Sequence, residues 1–422
     1  MRFIPEHLQS PFCIYGAGIV ATNVYTALKT LYHVKPLFFL VSDSEKGGGL
    51  DEPPEEIDGI IVKRLSAWKQ EQVTKQRVSA GRVTYLIATP EEHHAAIIEA
   101  LRTNVPYSSD SRKASGIFGI SDASEENPHI IPVTNEVENE LMEAYYRSCP
   151  ERRTVSELLS ETKMRESRGI PVESMLSGVR VFQAKSHMDK PLRKSKSDLS
   201  PDTLHDAGQS YILPGYIVPI QAGAELASMS IADLKDNTGD NISEKNRNYC
   251  ELTVTYHAWK NCHAAYKGIC HYRRVFDIDD TQMQNLLIAQ REWDVILPFP
   301  SVYYPDIDKE HMRYVKESDW EAMLQALSET APEYLAFYRG AVQKGEKFFC
   351  NFNMLIAKSA VFDDYCSFLF RVLQRTEQLT KPKGPERADR FAGYLGENLT
   401  TLYFLKNREK LKIAYAGKLW LV

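Results

Sequence analysis

The feature that most constrains this fold is an alternation of strand-like and helix-like segments over the first 130 residues. Phe12-Cys13-Ile14-Tyr15 is a short apolar run, and a helical stretch at residues 22–31 follows it. Further strand-like runs lie at residues 37–41, 59–62 and 83–88. The last run leads into Thr89-Pro90-Glu91-Glu92, the pattern of a capping box that opens a helix. This alternation predicts an α/β fold with a parallel sheet covered by helices.

The turn after the first predicted strand carries a glycine pattern. Gly16, Gly18 and Ala21 match G-x-G-x-x-A between a strand and a helix. In dinucleotide-binding domains these positions permit a tight turn, close approach of a pyrophosphate and close helix packing, respectively. Asp43, near the end of the second predicted strand, is the candidate for holding a ribose. The loop therefore predicts either a site for NAD(P) or another nucleotide, or a sharp turn without a ligand.

The length and the pattern along the chain indicate more than one domain. A chain of 422 residues is long enough for two or three domains. Residues 131–178 are predicted to be mostly helical, and strand signals resume at Val179-Arg180-Val181-Phe182-Gln183-Ala184. The N-terminal stretch resembles the Rossmann-like domains of several sugar-modifying and capsule-biosynthesis proteins. We therefore expect a Rossmann-like domain at 1–130, a helical connector at 131–178 and a second α/β domain at 179–422.

The second half contains the densest polar and aromatic signal. A turn cluster at residues 236–243 leads into a predicted helix at 243–260, in which Tyr249, Leu252, Tyr256 and Trp259 recur at helical spacing. A predicted strand then ends in His271-Tyr272-Arg273-Arg274. Further strands are predicted at 294–298 and 353–357, and helices at 359–375 and 388–405.

Several of these blocks, in this order, resemble a bacterial glycosyltransferase family long filed as a domain of unknown function. The main blocks are Asp240-Asn241-Ile242-Ser243-Glu244-Lys245-Asn246-Arg247-Asn248-Tyr249 and Gly268-Ile269-Cys270-His271-Tyr272-Arg273-Arg274. The resemblance covers residues 179–422. It implies a GT-A-like domain that uses a nucleotide sugar, with a UDP-sugar expected, in capsule, exopolysaccharide or O-antigen synthesis. The acceptor would be a glycan or a lipid-linked glycan.

The resemblance also implies where the donor binds. The first strand of such a domain holds the nucleotide base at its end, and Ala184, Lys185, Ser186 and His187 occupy that position. Asp240, Asn241 and Asn246 are candidates for contacting ribose or sugar hydroxyls, and Glu251 projects from the helix that follows. The alternative for Asn241 and Ser243 is helix capping alone.

Loss of a nucleoside diphosphate requires stabilisation of the negative charge that develops on it. We expect Arg273 or Arg274 to provide it without a metal ion, assisted by His271, because arginine offers a fork of donors suited to phosphate. If the strand extends that far, His271 and Arg273 share one face and Arg274 faces away. The alternatives are that both arginines hold local carboxylates, or that Asp277-Ile278-Asp279 binds a metal.

Transfer with inversion also needs a base for the acceptor hydroxyl, usually a carboxylate. Glu397, Asp319 and His311 are the candidates. The alternative for Glu397 is an ion pair with Arg387 or Arg390.

Composition narrows the classes of function. The chain has 51 Lys and Arg against 56 Asp and Glu, and this acidic balance argues against a nucleic-acid partner. Seven cysteines without a CxxC pair favour a reducing compartment, and we expect a cytoplasmic protein at the inner face of the plasma membrane. The basic stretch from Lys185 to Lys196 is either a membrane contact or a solvated loop. Competing functions are an NAD(P)-dependent oxidoreductase acting on a nucleotide sugar and a non-catalytic polysaccharide-assembly factor.

Overall fold

The computed structural model describes residues 11–43, 53–74, 83–104, 129–162, 176–186, 212–309, 314–380 and 389–421. The chain divides into two compact units, Met1–Leu141 and Met142–Val422. The elements of the first unit are β1 (Phe12–Tyr15), α1 (Ile19–Tyr32), β2 (Phe39–Val41), β3 (Glu56–Ile57), β4 (Ile60–Arg64), α2 (Leu65–Thr74), β5 (Thr84–Ile87), α3 (His94–Asn104) and β6 (Ile130–Pro132); α4 (Asn135–Arg147) crosses the division.

The first unit is built on a six-stranded sheet in the order β3-β4-β2-β1-β5-β6. All pairs are parallel except the short hairpin of β3 with β4. Strands β1 and β5 are buried throughout because their residues are nearly all apolar. The chain leaves β1 toward β2 on one side and later returns to β5 on the other, so the strand order reverses between β1 and β5. This confirms the predicted α/β fold for the first unit.

Two local predictions differ from the structure. The predicted capping box at residues 89–92 does not form: Pro90 precedes a 3₁₀ turn at Glu91–His93 without a side-chain cap. The Glu91 carboxylate instead accepts a hydrogen bond from the backbone N–H of Asn135. Within residues 131–178, expected to be a helical connector, the described residues take part in both sheets: β6 completes the first sheet, and the strand that follows α4 joins the second.

The second unit is larger. Its strands are β7 (Arg153–Thr154), β8 (Val179–Lys185), β9 (Ile217–Gln221), β10 (Leu234–Lys235), β11 (Tyr266–Cys270), β12 (Arg274–Phe276), β13 (Val295–Pro298), β14 (Ser301–Val302), β15 (Phe348–Phe349), β16 (Leu355–Lys358), β17 (Ile413–Ala416) and β18 (Lys418–Trp420). Its helices are α5 (Val155–Thr162), α6 (Asn246–Tyr249), α7 (Leu252–Asn261), α8 (Asp280–Ile288), α9 (Glu317–Thr330), α10 (Pro332–Gly340), α11 (Ser359–Leu379) and α12 (Phe391–Asn407). Of the helices in the described part of the chain, none has the length and apolar character needed to cross a membrane.

The main sheet of this unit has eight strands in the order β10-β9-β8-β11-β16-β13-β17-β7. Strand β16 runs antiparallel to both of its neighbours, and the other pairs are parallel. From β8 the chain moves outward to β9 and β10, and then returns to place β11 on the other side of β8. The strand order therefore reverses between β8 and β11. In open α/β sheets, ligands bind beyond the carboxyl ends of the strands at such a reversal.

Candidate active site

A cleft of about 340 Å³ lies beyond the carboxyl ends of β8 and β11, where the strand order of the second unit reverses. Lys185 ends β8 and His271 follows β11, so parallel pairing of these two strands brings both residues to one edge. The cleft is lined by Ala184, Lys185, Ser186, Ala222, Asn246, Arg247, Cys250, Glu251, His271, Tyr272 and Arg390. Three cationic residues, Lys185, Arg247 and Arg390, therefore line the cleft. One carboxylate residue, Glu251, lines it with them.

A break in the predicted helix at 243–260 forms one wall of the cleft. The structure has a 3₁₀ turn at Ser243–Lys245, then α6, and then α7 after an interruption at Cys250. Cys250 has φ 50° and ψ −130°, which no helix accommodates. The Asn246 side-chain amide holds the break by donating to the Cys250 carbonyl at 2.8 Å and to Thr253 Oγ1 at 3.1 Å. The continuous helix predicted from the sequence is therefore wrong, and the interruption turns Cys250 and Glu251 to the cleft.

Asp236 supports this wall from behind. Its fully buried carboxylate accepts hydrogen bonds from the backbone N–H groups of Gly223 and Ala224 at 2.8 and 3.0 Å. It also accepts from Ser243 Oγ at 2.5 Å and from Thr253 Oγ1 at 2.6 Å. Four donors satisfy the charge, and they tie the turn after β9 to the start of α7.

His271 and Arg274 form a tight bridge at the end of β11. The strand ends at Cys270, so the alternation predicted for His271, Arg273 and Arg274 does not occur. Arg274 Nη1 lies 3.1 Å from His271 Nδ1, and its guanidinium stacks between Phe352 at 4.1 Å and Trp420 at 3.9 Å. Arg274 therefore stands behind His271 and does not line the cleft.

This environment fixes the protonation of His271. Desolvation, with Arg274 next, holds the pKa of His271 well below its usual range, and desolvation lowers the pKa of Arg274 to about 10. At neutral pH the imidazole is neutral, and its Nδ1 must accept because arginine can only donate. Nε2 consequently carries the proton, and His271 can donate a hydrogen bond to an anion in the cleft.

Two partly buried carboxylates, Glu251 and Glu397, lie close to these cations. Asn353 Nδ2 donates to Glu251 Oε1 at 2.7 Å, and the backbone N–H of Phe352 donates to Glu397 Oε1 at 2.7 Å. Desolvation is the main cause of a raised pKa in both, and repulsion from Glu251 helps to raise that of Glu397 to about 7. Attraction to Arg274 and Arg390 opposes the rise in both residues. Carboxyls with pKa values raised in this way are typical of catalytic acids and bases.

Backbone strain is concentrated around this cleft. Among the described residues, six that are not glycine have a positive φ, and four of them are Cys250, Phe352, Asn353 and Arg390. Each such residue costs on the order of 1–3 kcal/mol and persists only where the surrounding structure enforces it. Cys250 and Arg390 are also in contact, through Arg390 Nε and Cys250 Sγ at 3.2 Å. Strain of this kind tends to accompany functional sites.

Of the residues that the resemblance predicts for the donor site, some line the cleft and others do not. Ala184, Lys185, Ser186, Asn246 and His271 line the cleft. The exposed Asp240 accepts from the Tyr256 hydroxyl, and Asn241 Oδ1 accepts from the Ser243 N–H. Arg273 stacks over Tyr272 at 5.0 Å. His187 and His311 lie outside the described residues.

The positions of Asp319 and Asp279 indicate structural roles. Asp319 is buried in the first turn of α9, away from the cleft lining. Asp279, the second acid of the Asp-x-Asp pattern, caps α8: its carboxylate accepts from the Gln282 N–H at 2.7 Å, and the Gln282 side chain accepts from the Asp279 N–H at 2.8 Å. Over the described ranges, no three His, Cys, Asp or Glu side chains are grouped as metal ligands.

Sequence reasoning missed Arg247, Arg390 and the role of Asn353. From the sequence, Arg390 is predicted only as an alternative ion-pair partner of Glu397, and Asn353 only as the first residue of a strand. The one available signal was the Asn351-Phe352-Asn353 sequence, since asparagine tolerates a positive φ better than most residues.

The N-terminal glycine loop can be explained largely by packing. Gly16 has φ 128°, and a Cβ there would lie 2.5 Å from the Ala88 carbonyl oxygen and 3.3 Å from the Ala21 Cβ. A Cβ at Gly18 would meet nothing within 4 Å. The Asp43 carboxylate accepts from the Ser66 N–H at 3.0 Å and from Ser66 Oγ at 2.7 Å, at the start of α2. A ribose at Asp43 would have to share the carboxylate with Ser66, whereas the space at Gly18 is open.

Comparison with known proteins gives two likenesses. A family model described as a domain of unknown function, DUF4422, matches residues 204–408. An apo structure of the bifunctional glycosyltransferase WbbM is similar at 22% identity with a TM-score of 0.44, covering 57% of this chain and 45% of that one. The chain thus spans less than half of WbbM. No curated protein matches the chain. The region matched by the family contains Glu251, His271 and Arg390, and therefore much of the cleft wall.

Proposed function

We propose that this cleft binds a nucleotide-sugar donor, with UDP as the nucleotide, and transfers its sugar to a hydroxyl group of a glycan. The observation that carries the proposal is the combination, at a reversal of strand order, of three cations and a neutral histidine with recessed carboxylates. A diphosphate needs the cations, and an acceptor hydroxyl needs a carboxylate. One cleft supplies both.

The cations suit the leaving group. Lys185, Arg247 and Arg390 converge on the cleft, and His271 adds an N–H donor. Fixed donors stabilise the charge that develops on a diphosphate as the glycosidic bond to phosphate breaks. Arg274 contributes indirectly, because it fixes the His271 tautomer at 3.1 Å. We propose that these side chains are sufficient without a metal ion.

The finer parts of the proposal rest on the resemblance to bacterial polysaccharide glycosyltransferases. They are the UDP moiety, the GT-A-like character of the second unit, the capsule, exopolysaccharide or O-antigen pathway, and a lipid-linked acceptor on the cytoplasmic side of the membrane.

The test uses the whole chain of 422 residues. Calorimetric titration with UDP measures donor-site binding, and UDP release from UDP-galactose, UDP-glucose and UDP-N-acetylglucosamine measures turnover with water as the acceptor. We expect UDP to bind and at least one donor to be hydrolysed, with the same rate in EDTA. No UDP binding and no release from any donor would contradict the function. Activity lost in EDTA and restored by Mn²⁺ would contradict only the metal-free part.

A further inference from the structure

The two carboxylates near the cleft are both held by one strained dipeptide, Phe352–Asn353. Phe352 has φ 73° and Asn353 has φ 50°. The backbone N–H of Phe352 donates to Glu397, and the side chain of Asn353 donates to Glu251. Because both residues lie in the left-handed region, the chain turns sharply here, and two donors from successive residues reach two different carboxylates.

Both donors of the Asn353 amide, and its oxygen, are engaged in hydrogen bonds. Nδ2 donates to Glu251 Oε1 at 2.7 Å and to the Gly393 carbonyl at 3.2 Å, and Oδ1 accepts from Thr400 Oγ1 at 3.3 Å. The side chain is completely buried. A flipped amide would place its oxygen against both the carboxylate and the carbonyl, so only one orientation satisfies all three partners. Asn353 therefore fixes the position of Glu251.

The two carboxylates differ in what they face. Glu251 lines the cleft together with His271 and Arg390, whereas Glu397 is not part of its lining. Glu397 binds a backbone amide on the turn behind the cleft and has a pKa of about 7, so it is largely protonated below neutral pH. The hydrogen bonds from Phe352 to Glu397 and from Asn353 to Glu251 both oppose the rise in pKa that desolvation causes, so the two carboxyls are distinguished by their position relative to the cleft.

We propose that Glu251 is the base that accepts the proton of the acceptor hydroxyl, that Asn353 is its positioning residue, and that Glu397 is a partner carboxyl behind the cleft. This inference rests on the proposed glycosyl transfer. In that step the Glu251 carboxylate takes the hydroxyl proton while the hydroxyl oxygen forms a bond to the anomeric carbon. The bond from that carbon to the phosphate oxygen breaks, and the diphosphate leaves with the electron pair.

The first experiment compares two isosteric variants, Glu251→Gln and Glu397→Gln, in UDP release from UDP-galactose, or from whichever donor the wild-type chain hydrolyses. A general base contributes about 10²- to 10⁴-fold. We expect Glu251→Gln to lose at least about 100-fold in rate while its UDP affinity stays within about threefold. Glu397→Gln should lose less than about tenfold. The reverse order of losses would overturn the assignment, as would a loss of UDP affinity that accounts for the rate.

The second experiment tests positioning through the pH profile. Asn353→Gly removes the amide and tolerates the positive φ, whereas Asn351→Gly removes a buried amide of the same turn that donates to the Tyr303 hydroxyl at 3.0 Å. Without the Asn353 hydrogen bond the pKa of Glu251 rises, so the acidic limb of the rate profile should move to higher pH. Asn351→Gly should leave the limb in place. An equal shift, or none, in both variants would overturn the role of Asn353.

Other charged and titratable groups face Glu251 and remain in both glycine variants. They are Lys185, Arg247 and His271 in the cleft lining, Cys250 from the helix break, Arg274 from β12, Tyr365 from α11, and Arg390, Tyr394 and Glu397 on or next to α12. A difference between the two variants in the position of the limb is therefore attributable to the Asn353 amide.

The stereochemical outcome tests the same step. With methanol as a surrogate acceptor, a base-assisted single displacement gives a methyl glycoside of inverted anomeric configuration, and a retained configuration would overturn the proposal. Failure of this inference is distinguishable from failure of the function. If the wild-type chain neither binds UDP nor hydrolyses any donor, the function fails; if it does both and Glu251→Gln keeps its rate, only the assignment of Glu251 fails.

Discussion

Both units of this chain have a reversal of strand order in their main sheet, but different kinds of residue surround the two reversals. Each has a parallel-rich sheet with a reversal of strand order, between β1 and β5 in one unit and between β8 and β11 in the other. In the first unit, Gly16 brings the backbone against the Ala88 carbonyl, and Asp43 is engaged with the start of α2. In the second, the reversal opens into a cleft with cations and an acid on its walls.

The comparison of the two units indicates which of their features are evidence of function. The glycine pattern at residues 16–21 is the more familiar motif, yet packing against β5 accounts for Gly16. The cleft of the second unit lacks such a motif, but it gathers four of the six positive-φ residues that are not glycine in the described ranges. Packing of a sheet and its helices does not require those four conformations. Strain next to carboxyls of raised pKa is therefore the stronger indication here.

The largest expected effect tests whether Gly16 serves packing. Gly16→Ala would place a Cβ 2.5 Å from the Ala88 carbonyl oxygen at φ 128°. We expect the first sheet to lose about 3 to 4 kcal/mol in its free energy of opening, from backbone strain together with the clash. Hydrogen–deuterium exchange at the amides of β1 and β5 measures this loss, and UDP binding by the second unit should be unchanged. Unaltered protection of β1 would contradict the packing explanation.

The second effect tests the protonation of Glu397, behind the cleft, through the stability of the fold. The pKa of Glu397 is about 7, against about 4.3 in an unfolded chain, so between these values the folded state holds a proton that the unfolded state lacks. The free energy of unfolding therefore falls as pH rises through this window. Glu397→Gln removes the dependence, and the variant should exceed the wild type by about 3 kcal/mol at pH 8 and match it near pH 4.

Urea denaturation at both pH values measures the difference for Glu397→Gln. Glu321→Gln, on the exposed face of α9, is the matched control and should show no such crossover. If Glu397→Gln is less stable than the wild type at pH 8, the prediction is wrong, because the folded state then stabilises the ionised carboxylate of Glu397.

The third effect tests which unit binds the nucleotide. Arg390→Leu removes a guanidinium from the cleft, and hydrogen bonds to charged groups contribute about 1.5 to 3 kcal/mol, so UDP affinity should fall about 10- to 100-fold. Arg64→Leu is the control at the corresponding edge of the first sheet, where Arg64 donates to the Ser42 carbonyl at 3.2 Å. Calorimetry should show UDP affinity unaffected by Arg64→Leu. The opposite result would assign UDP to the first unit.

Much of the fold could be predicted from the sequence because apolar periodicity reports on burial. Strand β1 has the predicted bounds, and β5, β13 and β16 lie within two residues of theirs. The break at Cys250 could not be predicted in this way. Residues 249–260 keep helical spacing on both sides of the break, and the left-handed residue is a cysteine, which carries no preference for that conformation.

The candidate site was predictable where it depends on strand ends. Lys185, Ser186 and His271 follow directly from the ends of β8 and β11. Arg390 and Asn353 reach the cleft from parts of the chain more than a hundred residues away from Cys250 and Glu251. Only tertiary packing brings such partners together, and local patterns contain no information about it.

The smallest expected effect concerns Gly18, and it decides whether the first unit keeps a nucleotide site. Gly18 has φ −94°, and a Cβ there would meet nothing within 4 Å, so Gly18→Ala should change stability by less than about 0.5 kcal/mol. The same Cβ would obstruct a pyrophosphate that approaches the backbone. Calorimetric titration of the wild type with NAD, repeated on Gly18→Ala, separates the two interpretations. If the wild type binds NAD and Gly18→Ala does not, a ligand binds at the reversal of strand order in each of the two units. Equal behaviour of the two proteins toward NAD would mean that the glycine loop serves the turn alone, so that the strained, charged cleft of the second unit is the chemical site of the chain.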